Sequence, residues 1–461
     1  MDVSVNSKKT RIVVIGGGFG GVYTATHLEK IFAGNDKVEI ILISEQNYLL
    51  FTPMLSEVAS SSIEAKHMIN PIRACLRETT FRNSQVQEID LENKSITAVH
   101  CHQCKPFTIR YDYLVLAPGS ITNFYDLPGV AEHALPMKTL NDAMRLRNHI
   151  IYVLEHADLE KDDYMRQAML TFVVVGGGFA GVETAAELRD FLDTARHYYR
   201  NIVKDEMKVV LIHGGGRILP ELNEGLANYA SEKLRKRDIE LRLHTKVESM
   251  SGFEIYLSTG DAISTQSLIW TAGVSPHTLV KSLPISHNKR GQVKVNEYLE
   301  VPELQDVWAL GDCAEVVDAE SGQPAPPTAQ HAVREGKIVA ENIAATLNGE
   351  DKKVFSYKPL GILASLGRRS AVAEILGFRF SGFFAWWLWR TIYLLKLPGI
   401  ERKLRVVIDW TLDLFFHRDI VLLQSLLDKT PGAPDMSNGD NRQVDTSNKK
   451  ENQEIYMNKQ H

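Results

Sequence analysis

Residues 11–21 read RIVVIGGGFGG, and residues 170–181 repeat the pattern as LTFVVVGGGFAG. In each stretch, β-branched residues typical of a buried strand run into a cluster of glycines. Helical periodicity follows, and then a second apolar strand, VEIILIS at 38–44 and KVVLI at 208–212. Strand, glycine loop, helix and strand in this order predict a βαβ unit. Because the unit occurs twice, we predict an α/β fold with two Rossmann-like dinucleotide-binding domains.

The first glycine loop has the spacing that binds a pyrophosphate. Gly16 allows a tight turn, Gly18 lets the backbone approach the ligand, and Gly21 lets the helix pack closely on the strand. The diphosphate then lies at the helix N-terminus, where unpaired N–H groups favour negative charge. Glu45 ends the next strand, where a carboxylate can accept hydrogen bonds from a ribose. The alternative is a glycine-rich turn without a ligand.

The second loop differs from the first at the end of the following strand. Gly176, Gly178 and Gly181 keep the spacing, so the chain is predicted to bind two dinucleotides, a flavin and a nicotinamide. The next strand ends in His213 and three glycines, where a carboxylate would hold the 2′-hydroxyl of NADH and repel the phosphate of NADPH. We therefore expect NADH, with NADPH as the alternative.

Two acidic side chains near these loops are candidates for the chemistry. Glu183 is placed in the first turn of the second nucleotide helix, where it can partner the helix dipole or present a carboxylate to the nicotinamide and flavin. Asp312, in LGDCAE, follows a strand and precedes a turn. It can form an Asx turn or bind the ribityl or ribose hydroxyls of a flavin. Position alone leaves both pairs of roles open.

The composition is that of a folded protein with two or three domains. The chain has 461 residues, is 44% hydrophobic and 24% charged, and carries a net charge of −5. These values exclude a wholly disordered chain and give no sign of nucleic-acid binding. No stretch of about 18 residues is both uncharged and predominantly apolar, which excludes a polytopic membrane protein. Four cysteines are too few for a disulfide scaffold, so we expect a reducing compartment. The stretch MDVSVNSKKT has no apolar run, so we expect no secretory signal, and no metal-ligand constellation is evident, so we expect no metal site.

The chain changes character after residue 350. Residues 351–430 carry 13 Lys+Arg against 7 Asp+Glu, a net charge of +6 that leaves −11 for the rest, and four of the six tryptophans. The uncharged run 380–389 is flanked by Arg379 and Arg390, which would share one helical face, and segment 402–416 separates charged from apolar side chains. Both patterns predict amphipathic helices lying on a membrane surface. The alternative is a dimerisation domain, as in soluble flavin disulfide reductases, and a homodimer is among the expected assemblies.

These features divide the chain into four regions. Residues 10–125 and 295–350 are predicted to form two parts of one flavin-binding domain, with a nicotinamide-binding domain, 126–294, between them. Residues 351–430 are predicted to form a membrane-anchoring α/β region. Residues 431–461 are polar and rich in asparagine, which predicts a disordered tail.

Taken together, the motifs resemble one family. The two glycine loops occur with APGS, WTAG, LGDCAE and PPTAQHA, and with the aromatic, basic segment 381–420. Over about residues 10–420 the chain resembles two-dinucleotide-binding flavoproteins, and among them the type II NADH dehydrogenases. The resemblance implies non-covalently bound FAD, hydride transfer from NADH to the flavin, and reduction of a membrane quinone without proton pumping. It also implies a peripheral, monotopic position on the cytoplasmic face of the cell inner membrane, with residues 379–416 on the lipid.

The resemblance assigns roles to residues by motif. The residues that would hold FAD are Gly16, Gly18, Gly21, Glu45, Ala117, Gly119, Gly311 and Asp312. Those that would bind NADH are Gly176, Gly178, Gly181, Glu183 and His213. Gln330, in TAQHA, matches a glutamine near the flavin at the quinone end, so Glu183 and Gln330 are the predicted catalytic residues. The family repeats a glutamine four residues later, where this chain has Arg334.

Three alternatives compete with this interpretation. A flavin disulfide reductase needs a cysteine pair early in the flavin domain, where the sequence has a single cysteine, Cys75. A sulfide:quinone oxidoreductase needs cysteines beside the flavin late in the chain, where Cys313 is predicted to be a small buried residue. Cys101 and Cys104, in CHQC, are predicted to lie in a β-hairpin of the flavin domain. A redox-sensing binding protein that turns over slowly is the third alternative.

Overall fold

The computed structural model describes residues 9–100, 105–359 and 361–423. These residues form two sheets built mainly of parallel strands, several small antiparallel sheets and the helices packed on them. The predictions for Cys101, Cys104 and the tail 431–461 concern residues outside the described ranges.

The first third of the chain supplies most of one sheet. Its elements are β1 (Thr10–Ile15), α1 (Phe19–Ile31), β2 (Val38–Ser44), β3 (Tyr48–Leu50), α2 (Leu55–Ala59), β4 (Ile69–Pro71), α3 (Ile72–Cys75), β5 (Thr80–Asp90), β6 (Ser95–His100), β7 (Pro106–Arg110), β8 (Tyr113–Leu116) and β9 (Ser120–Thr122). The strands β6 and β7 pair in antiparallel fashion.

The middle of the chain builds a second sheet and a small antiparallel one. Its elements are α4 (Val130–His133), β10 (Leu135–Pro136), α5 (Leu140–Ala157), α6 (Asp163–Met169), β11 (Thr171–Val175), α7 (Phe179–Ala195), β12 (Lys208–Ile212), α8 (Glu224–Arg235), β13 (Ile239–Arg242), β14 (Val247–Ser251), β15 (Glu254–Leu257), β16 (Ala262–Ser264), β17 (Ser267–Trp270), β18 (Val274–Pro276) and α9 (Thr278–Lys281).

The last part of the chain returns to the first sheet and then adds a C-terminal body. Its elements are β19 (Val293–Lys294), β20 (Val307–Ala309), β21 (Ala314–Glu315), α10 (Ala329–Asn348), β22 (Gly361–Ser365), β23 (Ala371–Ile375), β24 (Phe378–Ser381), α11 (Gly382–Lys396) and α12 (Ile400–Phe415).

The two large sheets have the same plan. The first has the order β20-β8-β1-β2-β5-β6-β7 and the second the order β10-β17-β11-β12-β13. The strands from β20 to β5 are parallel, as are all those of the second sheet. Parallel strands covered on both faces are apolar throughout, which explains the β-branched runs before each glycine loop. The predicted α/β fold with two Rossmann-like units is confirmed.

The two sheets are joined by a short ribbon in which β9 pairs with β18 in antiparallel fashion. Strand β20 comes from late in the sequence and pairs with β8. The chain therefore leaves the first sheet, builds the second and returns to complete the first.

The C-terminal body differs from the prediction in the position at which its first helix begins. Strands β23 and β24 form a hairpin whose two turn residues, Leu376 and Gly377, have φ values of 50° and 82°. Two left-handed residues make a turn that matches the twist of paired strands. Arg379 consequently lies in a strand, α11 begins only at Gly382, and Arg390 is largely buried. The prediction that Arg379 and Arg390 share one helical face was wrong.

Among the described residues, no helix combines the length and the apolar character needed to cross a membrane.

Candidate functional site

The carboxyl ends of neighbouring parallel strands bring the first set of predicted residues together. Strands β20, β8, β1 and β2 are adjacent, and each ends at the same edge of the first sheet. In an α/β sheet this edge is where a ligand binds. The residues that follow the four strands, in spatial order, are Gly311 and Asp312, Ala117 and Gly119, Gly16, and Glu45.

The first glycine loop is closed by its own backbone on one side and open on the other. Gly16 has a φ of 115°, and a Cβ atom there would overlap the carbonyl oxygen of Ala117. A Cβ on Gly21 would overlap the carbonyl oxygen of Gly16, whereas a Cβ on Gly18 would meet nothing within 4 Å. The loop therefore requires glycine at Gly16 and Gly21 because of backbone packing, whereas the space beside Gly18 is open.

Helices α1 and α7 both begin without a capping side chain. Their N-cap residues are Gly18 and Gly178, and neither first turn contains an acidic residue. In contrast, the side chain of Thr139 accepts a hydrogen bond from the backbone of Asp142 at the start of α5. The first N–H groups of a helix need partners from outside it. An uncapped start facing open space fits the phosphates of a dinucleotide, and both loops have it.

Asp312 is held by groups from both nucleotide-binding units. Its carboxylate accepts hydrogen bonds from Ser120 Oγ at 2.5 Å and from Lys138 Nζ at 3.2 Å. Lys138 follows β10 of the second sheet and also donates to Ser120 Oγ at 2.7 Å. The sequence analysis included Ser120 in the APGS motif but gave it no role, and it missed Lys138, because a lone lysine carries no motif.

A second acid, which the sequence analysis missed, supports the same edge of the first sheet as Asp312. Glu335 lies on α10, and its carboxylate accepts a 2.7 Å hydrogen bond from the backbone N–H of Gly311. Burial raises the pKa of Glu335 to about 7, and the nearby charge of Asp312 acts in the same direction. Its only sequence signal is a charged residue among the apolar positions of a helix.

The second loop repeats the geometry of the first, with a different side chain at the strand end. Gly176 has a φ of 122°, a Cβ on Gly181 would overlap the carbonyl oxygen of Gly176, and a Cβ on Gly178 would meet open space. His213 follows β12, and its Nδ1 accepts a hydrogen bond from the N–H of Gly177 at 3.1 Å. Burial lowers the pKa of His213, so the imidazole is neutral near pH 7. The position is therefore uncharged where a carboxylate is usual.

Glu183 connects the second nucleotide-binding unit to the C-terminal body. Its carboxylate is buried and accepts hydrogen bonds from the N–H of Ser365 at 2.9 Å and from Trp389 Nε1 at 3.2 Å. Ser365 ends β22 and Trp389 lies on α11. Burial raises the pKa of Glu183 to about 8. Because α7 starts at Phe179, Glu183 is the fifth residue of the helix, and its predicted place in the first turn was wrong.

Gln330 lies in the first turn of α10, beside an aromatic ring. Its Oε1 accepts a hydrogen bond from the hydroxyl of Tyr357 at 3.2 Å. The guanidinium of Arg334 lies over the Tyr357 ring, 4.6 Å from its centre. Lys396, at the end of α11, is close enough for the charge of Arg334 to add to burial in lowering its pKa. The charge of Arg334 near the start of α10 thus acts on Lys396 at the end of α11.

A series of aromatic contacts runs between α11 and α1. Trp389 contacts Tyr393 with ring centres 4.7 Å apart, Tyr393 contacts Phe51 at 6.2 Å, and Phe51 contacts Phe19 at 6.1 Å. Phe19 is the first residue of α1. An apolar, aromatic layer therefore lies between the C-terminal body and the first glycine loop.

Comparisons with known proteins were made against families, sequences and structures. The family model described as pyridine nucleotide-disulphide oxidoreductase matches residues 10–336, and the NDH2 C-terminal domain matches residues 360–419. The probable NADH dehydrogenase of Dictyostelium discoideum is 32% identical over 89% of this chain and 90% of that protein. The chain belongs to the type II NADH dehydrogenase family.

Other members of the family and its structures agree with this assignment. The type II NADH:quinone oxidoreductase of Mycobacterium tuberculosis is 31% identical over 88% of both chains. The structure of NDH2 from Plasmodium falciparum in complex with NADH covers 90% of this chain and all of its own, with a TM-score of 0.82 and 21% identity. At that identity the structural likeness concerns the fold alone.

One of the competing enzyme classes has a similar fold. A sulfide:quinone oxidoreductase from Aquifex aeolicus has a TM-score of 0.66 at 17% identity, covering 88% of this chain and 95% of its own. Cys313 is buried and its thiol donates to the carbonyl oxygens of Leu116 and Leu310. Burial raises its pKa to about 12, as expected for a packed, unreactive thiol.

Proposed function

We propose that this chain oxidises NADH and reduces a membrane quinone through non-covalently bound FAD, without pumping protons. Membership of the type II NADH dehydrogenases supports NADH, a flavin and quinone as the reacting groups. The observation that carries the proposal is the position of Glu183. It lies on the helix of the second glycine loop and is bonded to the C-terminal body, which matches the NDH2 C-terminal domain.

The residues at the edge of the first sheet fit FAD. The uncapped start of α1 at Gly18 would take the diphosphate, Glu45 the adenine ribose, and Asp312 the ribityl hydroxyls. Bound flavin supplies the capacity to accept a hydride and to release electrons singly or in pairs. Lys138 and Ser120 orient the Asp312 carboxylate, and Glu335 orients the backbone at Gly311.

Glu183 would act as a proton-holding group at the nicotinamide end. With a pKa of about 8, it is a neutral carboxylic acid at pH 7 and has a proton to give. Ser365 and Trp389 fix its orientation from the C-terminal body. Gly178, with its uncapped helix, would take the NADH diphosphate.

Gln330 would contact the quinone head group. The hydroxyl of Tyr357 fixes the orientation of its amide, and Arg334 stacks on the same tyrosine ring. Arg334 therefore supports the quinone end by holding Tyr357, in place of the second glutamine of the family. The end of α11 at Lys396 would form the opposite side of the quinone entrance.

The C-terminal helices would rest on lipid through residues 379–416. Large apolar side chains of this region are exposed, including Phe383 at 62%, Leu395 at 67% and Phe415 at 78%. Apolar and aromatic residues flanked by basic ones suit a membrane interface. We place this surface on the cytoplasmic face of the cell inner membrane, where NADH is available; protease protection in sealed vesicles tests the side. A homodimer stays a prediction, tested by light scattering in detergent.

The test of the proposed function compares two half-reactions by stopped-flow absorbance of the flavin. Wild type is expected to be reduced by NADH and reoxidised by a short-chain quinone. Glu183→Gln is expected to keep its flavin and to lose at least about tenfold in reduction or reoxidation, since a positioned acid commonly contributes ~10²-fold or more. Glu206→Gln, which removes a surface ion pair with Arg166, is the control and should match wild type. If NADH reduces the flavin but quinone never reoxidises it, the proposed NADH:quinone oxidoreductase activity is wrong.

A further inference from the structure

A polar cavity of about 310 Å³ lies apart from both glycine loops and from the predicted quinone end at Gln330. It is enclosed by α2, α7, α11 and the segment after α12, and we call it the acid cavity. Its outer end is formed by His197 and His417, both exposed, with their rings 5.7 Å apart. Its inner end is formed by Glu57 and Glu187, which are 4% and 6% exposed. A liquid water occupies about 30 Å³, so the volume admits several.

The acid cavity follows one face of α7 and its C-terminal extension. The polar residues along this face are Glu183, Glu187, Asp190, Thr194 and His197. Their spacing of four, three, four and three residues places them above one another on a helix. All but Glu183 line the cavity, and Glu183 lies one turn beyond its inner end. A continuous polar stripe thus joins the protein surface to the residue assigned to the nicotinamide end.

Most acids of the cavity are paired with arginines. Asp190 pairs with Arg237, and Asp193 with Arg368. Arg418 bridges two acids, since it lies 2.9 Å from Asp413 and 3.4 Å from Glu187. Arg237 and Arg418, which are largely buried, and the exposed Arg368 are consequently committed to these carboxylates.

Glu57 is the exception. Its Oε2 is buried and has no hydrogen-bond partner among the described residues. The nearest cation, Arg390, is held between the rings of Trp386 and Trp410, 4.3 and 4.5 Å from their centres. A buried carboxylate without such partners is costly as an anion, and so it holds a proton.

The groups facing Glu57 from each neighbouring element set its protonation. Burial raises its pKa to about 8, and the charges of Glu187 and Glu183 on α7 act in the same direction. Arg390 on α11 and Arg418 beyond α12 oppose the shift. The hydroxyl of Ser60 donates to Glu187 Oε2 at 2.7 Å and lies 3.2 Å from the backbone carbonyl oxygen of Glu57. Ser60 therefore connects the Glu187 carboxylate to the backbone of Glu57.

We propose that the acid cavity supplies the proton that quinone reduction takes from solvent, with Glu57 and Glu187 passing it along α7 to Glu183. The step rests on the proposed function. NADH gives up a hydride, which carries two electrons and one hydrogen, and leaves as NAD⁺. The quinol requires two hydrogens, so one proton per turnover comes from water. Glu57 and Glu187 act through Glu183 and are positioning residues for that proton.

The test separates the half-reaction that takes up a proton from the one that does not. Flavin reduction by NADH needs no proton from solvent, and reoxidation by quinone needs one. In Glu57→Gln and in Glu187→Gln, we expect reduction to match wild type and reoxidation to slow about tenfold or more. The slowing should grow as the pH rises from 6 to about 8, and Glu57→Asp should restore part of the rate.

The controls distinguish the failure of this route from other failures. Glu206→Gln reports on the loss of a carboxylate outside the acid cavity and should leave both half-reactions unchanged. Thermal melting and flavin content show whether each variant is folded; Glu187→Gln replaces Glu57→Gln if the latter is not. Reoxidation equal to wild type at every pH in a folded variant would overturn the route. A wild type that quinone cannot reoxidise would overturn the proposed function instead.

Discussion

His213 is the residue at which this chain departs most clearly from the usual dinucleotide site. Its imidazole is tied to the glycine loop through the N–H of Gly177 and is neutral near pH 7. A neutral side chain neither repels the 2′-phosphate of NADPH nor accepts hydrogen bonds from the ribose as strongly as a carboxylate does. The preference for NADH is therefore expected to be modest in this chain.

Replacing His213 by glutamate should sharpen that preference. The carboxylate would accept from the NADH ribose and repel the NADPH phosphate, and about 1.4 kcal/mol of discrimination corresponds to tenfold in rate. We expect the ratio of kcat/KM for NADH over NADPH to rise about tenfold or more, measured with a quinone acceptor. His213→Gln, which stays neutral, is the control and should leave the ratio close to wild type. An unchanged ratio in His213→Glu would remove this residue from the ribose site.

At the scale of elements, α12 is oriented opposite to the helices of most water-soluble proteins. Its charged side chains bond to the protein beside the buried Val406 and Trp410: Asp409 pairs with His67 at 2.5 Å, and Arg402 donates to the carbonyl oxygen of Lys66. Its apolar stripe faces outward, with Leu404 59% and Ile408 56% exposed. Ion pairs hold the helix to the body and leave the apolar side chains free for a lipid surface.

Charges placed on this outer stripe should release the protein from membranes. Burying a leucine or isoleucine side chain is worth about 1.5–3 kcal/mol, so Leu404→Glu with Ile408→Glu should lower partition into anionic liposomes about 100-fold. Flotation of the purified protein with liposomes measures this. Leu159→Glu with Val203→Glu is the matched control, because those side chains are also exposed and apolar but lie in the nicotinamide-binding unit. Partition that survives the first pair would exclude α12 as the lipid contact.

Truncation is a poorer test of the same surface. Removing the chain from residue 379 onward would also remove Trp389, which is 1% exposed and bonded to Glu183. The cut would therefore open the core and change the nicotinamide end together with the membrane surface. Substitutions on the outer stripe separate these effects.

At the scale of the whole molecule, buried acids make the folding stability depend on pH. These acids lie where the C-terminal body packs on the nucleotide-binding units. Glu57 and Glu183 have pKa values of about 8 in the fold, against an ordinary value of 4.5. Between these values the folded chain binds more protons than the unfolded one. The stabilising contribution is therefore complete below about pH 4.5 and is lost as the pH rises through about 8.

The melting temperature should accordingly fall between about pH 6 and pH 8.5, and less so in Glu57→Gln. One proton difference corresponds to a limiting slope of about 1.4 kcal/mol per pH unit, and the glutamine removes that proton. Differential scanning fluorimetry of matched samples at both pH values measures the two slopes. Glu206→Gln is the control. The hydrogen bond and ion pair with Arg166 lower the pKa of the Glu206 carboxyl, so this group affects the pH dependence of stability only at acidic pH. Equal slopes in wild type and Glu57→Gln would show that Glu57 is not protonated in the fold.

The sequence by itself determined the two βαβ units and the positions of their glycines. These features depend on backbone sterics and on neighbours close in the chain, as when the carbonyl of Gly16 excludes a side chain at Gly21. Parallel strands then fixed which residues lie at the ligand edge, because their carboxyl ends align. The predicted roles of Gly16 and Asp312 agree with that alignment, whereas the role of Gln330 rests on the resemblance to the family, and all three still await test.

Only the tertiary structure decided which acids are buried and what faces outward. Glu57 and Glu187 are 130 positions apart, and Glu183 meets Trp389 across 206 positions. A carboxyl group's pKa depends on the water and the partners around it, and no local pattern in the sequence specifies either. The same holds for α12. Its periodicity separates a charged stripe from an apolar one, but it does not specify which stripe forms ion pairs with the rest of the protein. Burial and partner choice are properties of packing, and they decide which acids of this enzyme are buried and which side chains of α12 face outward.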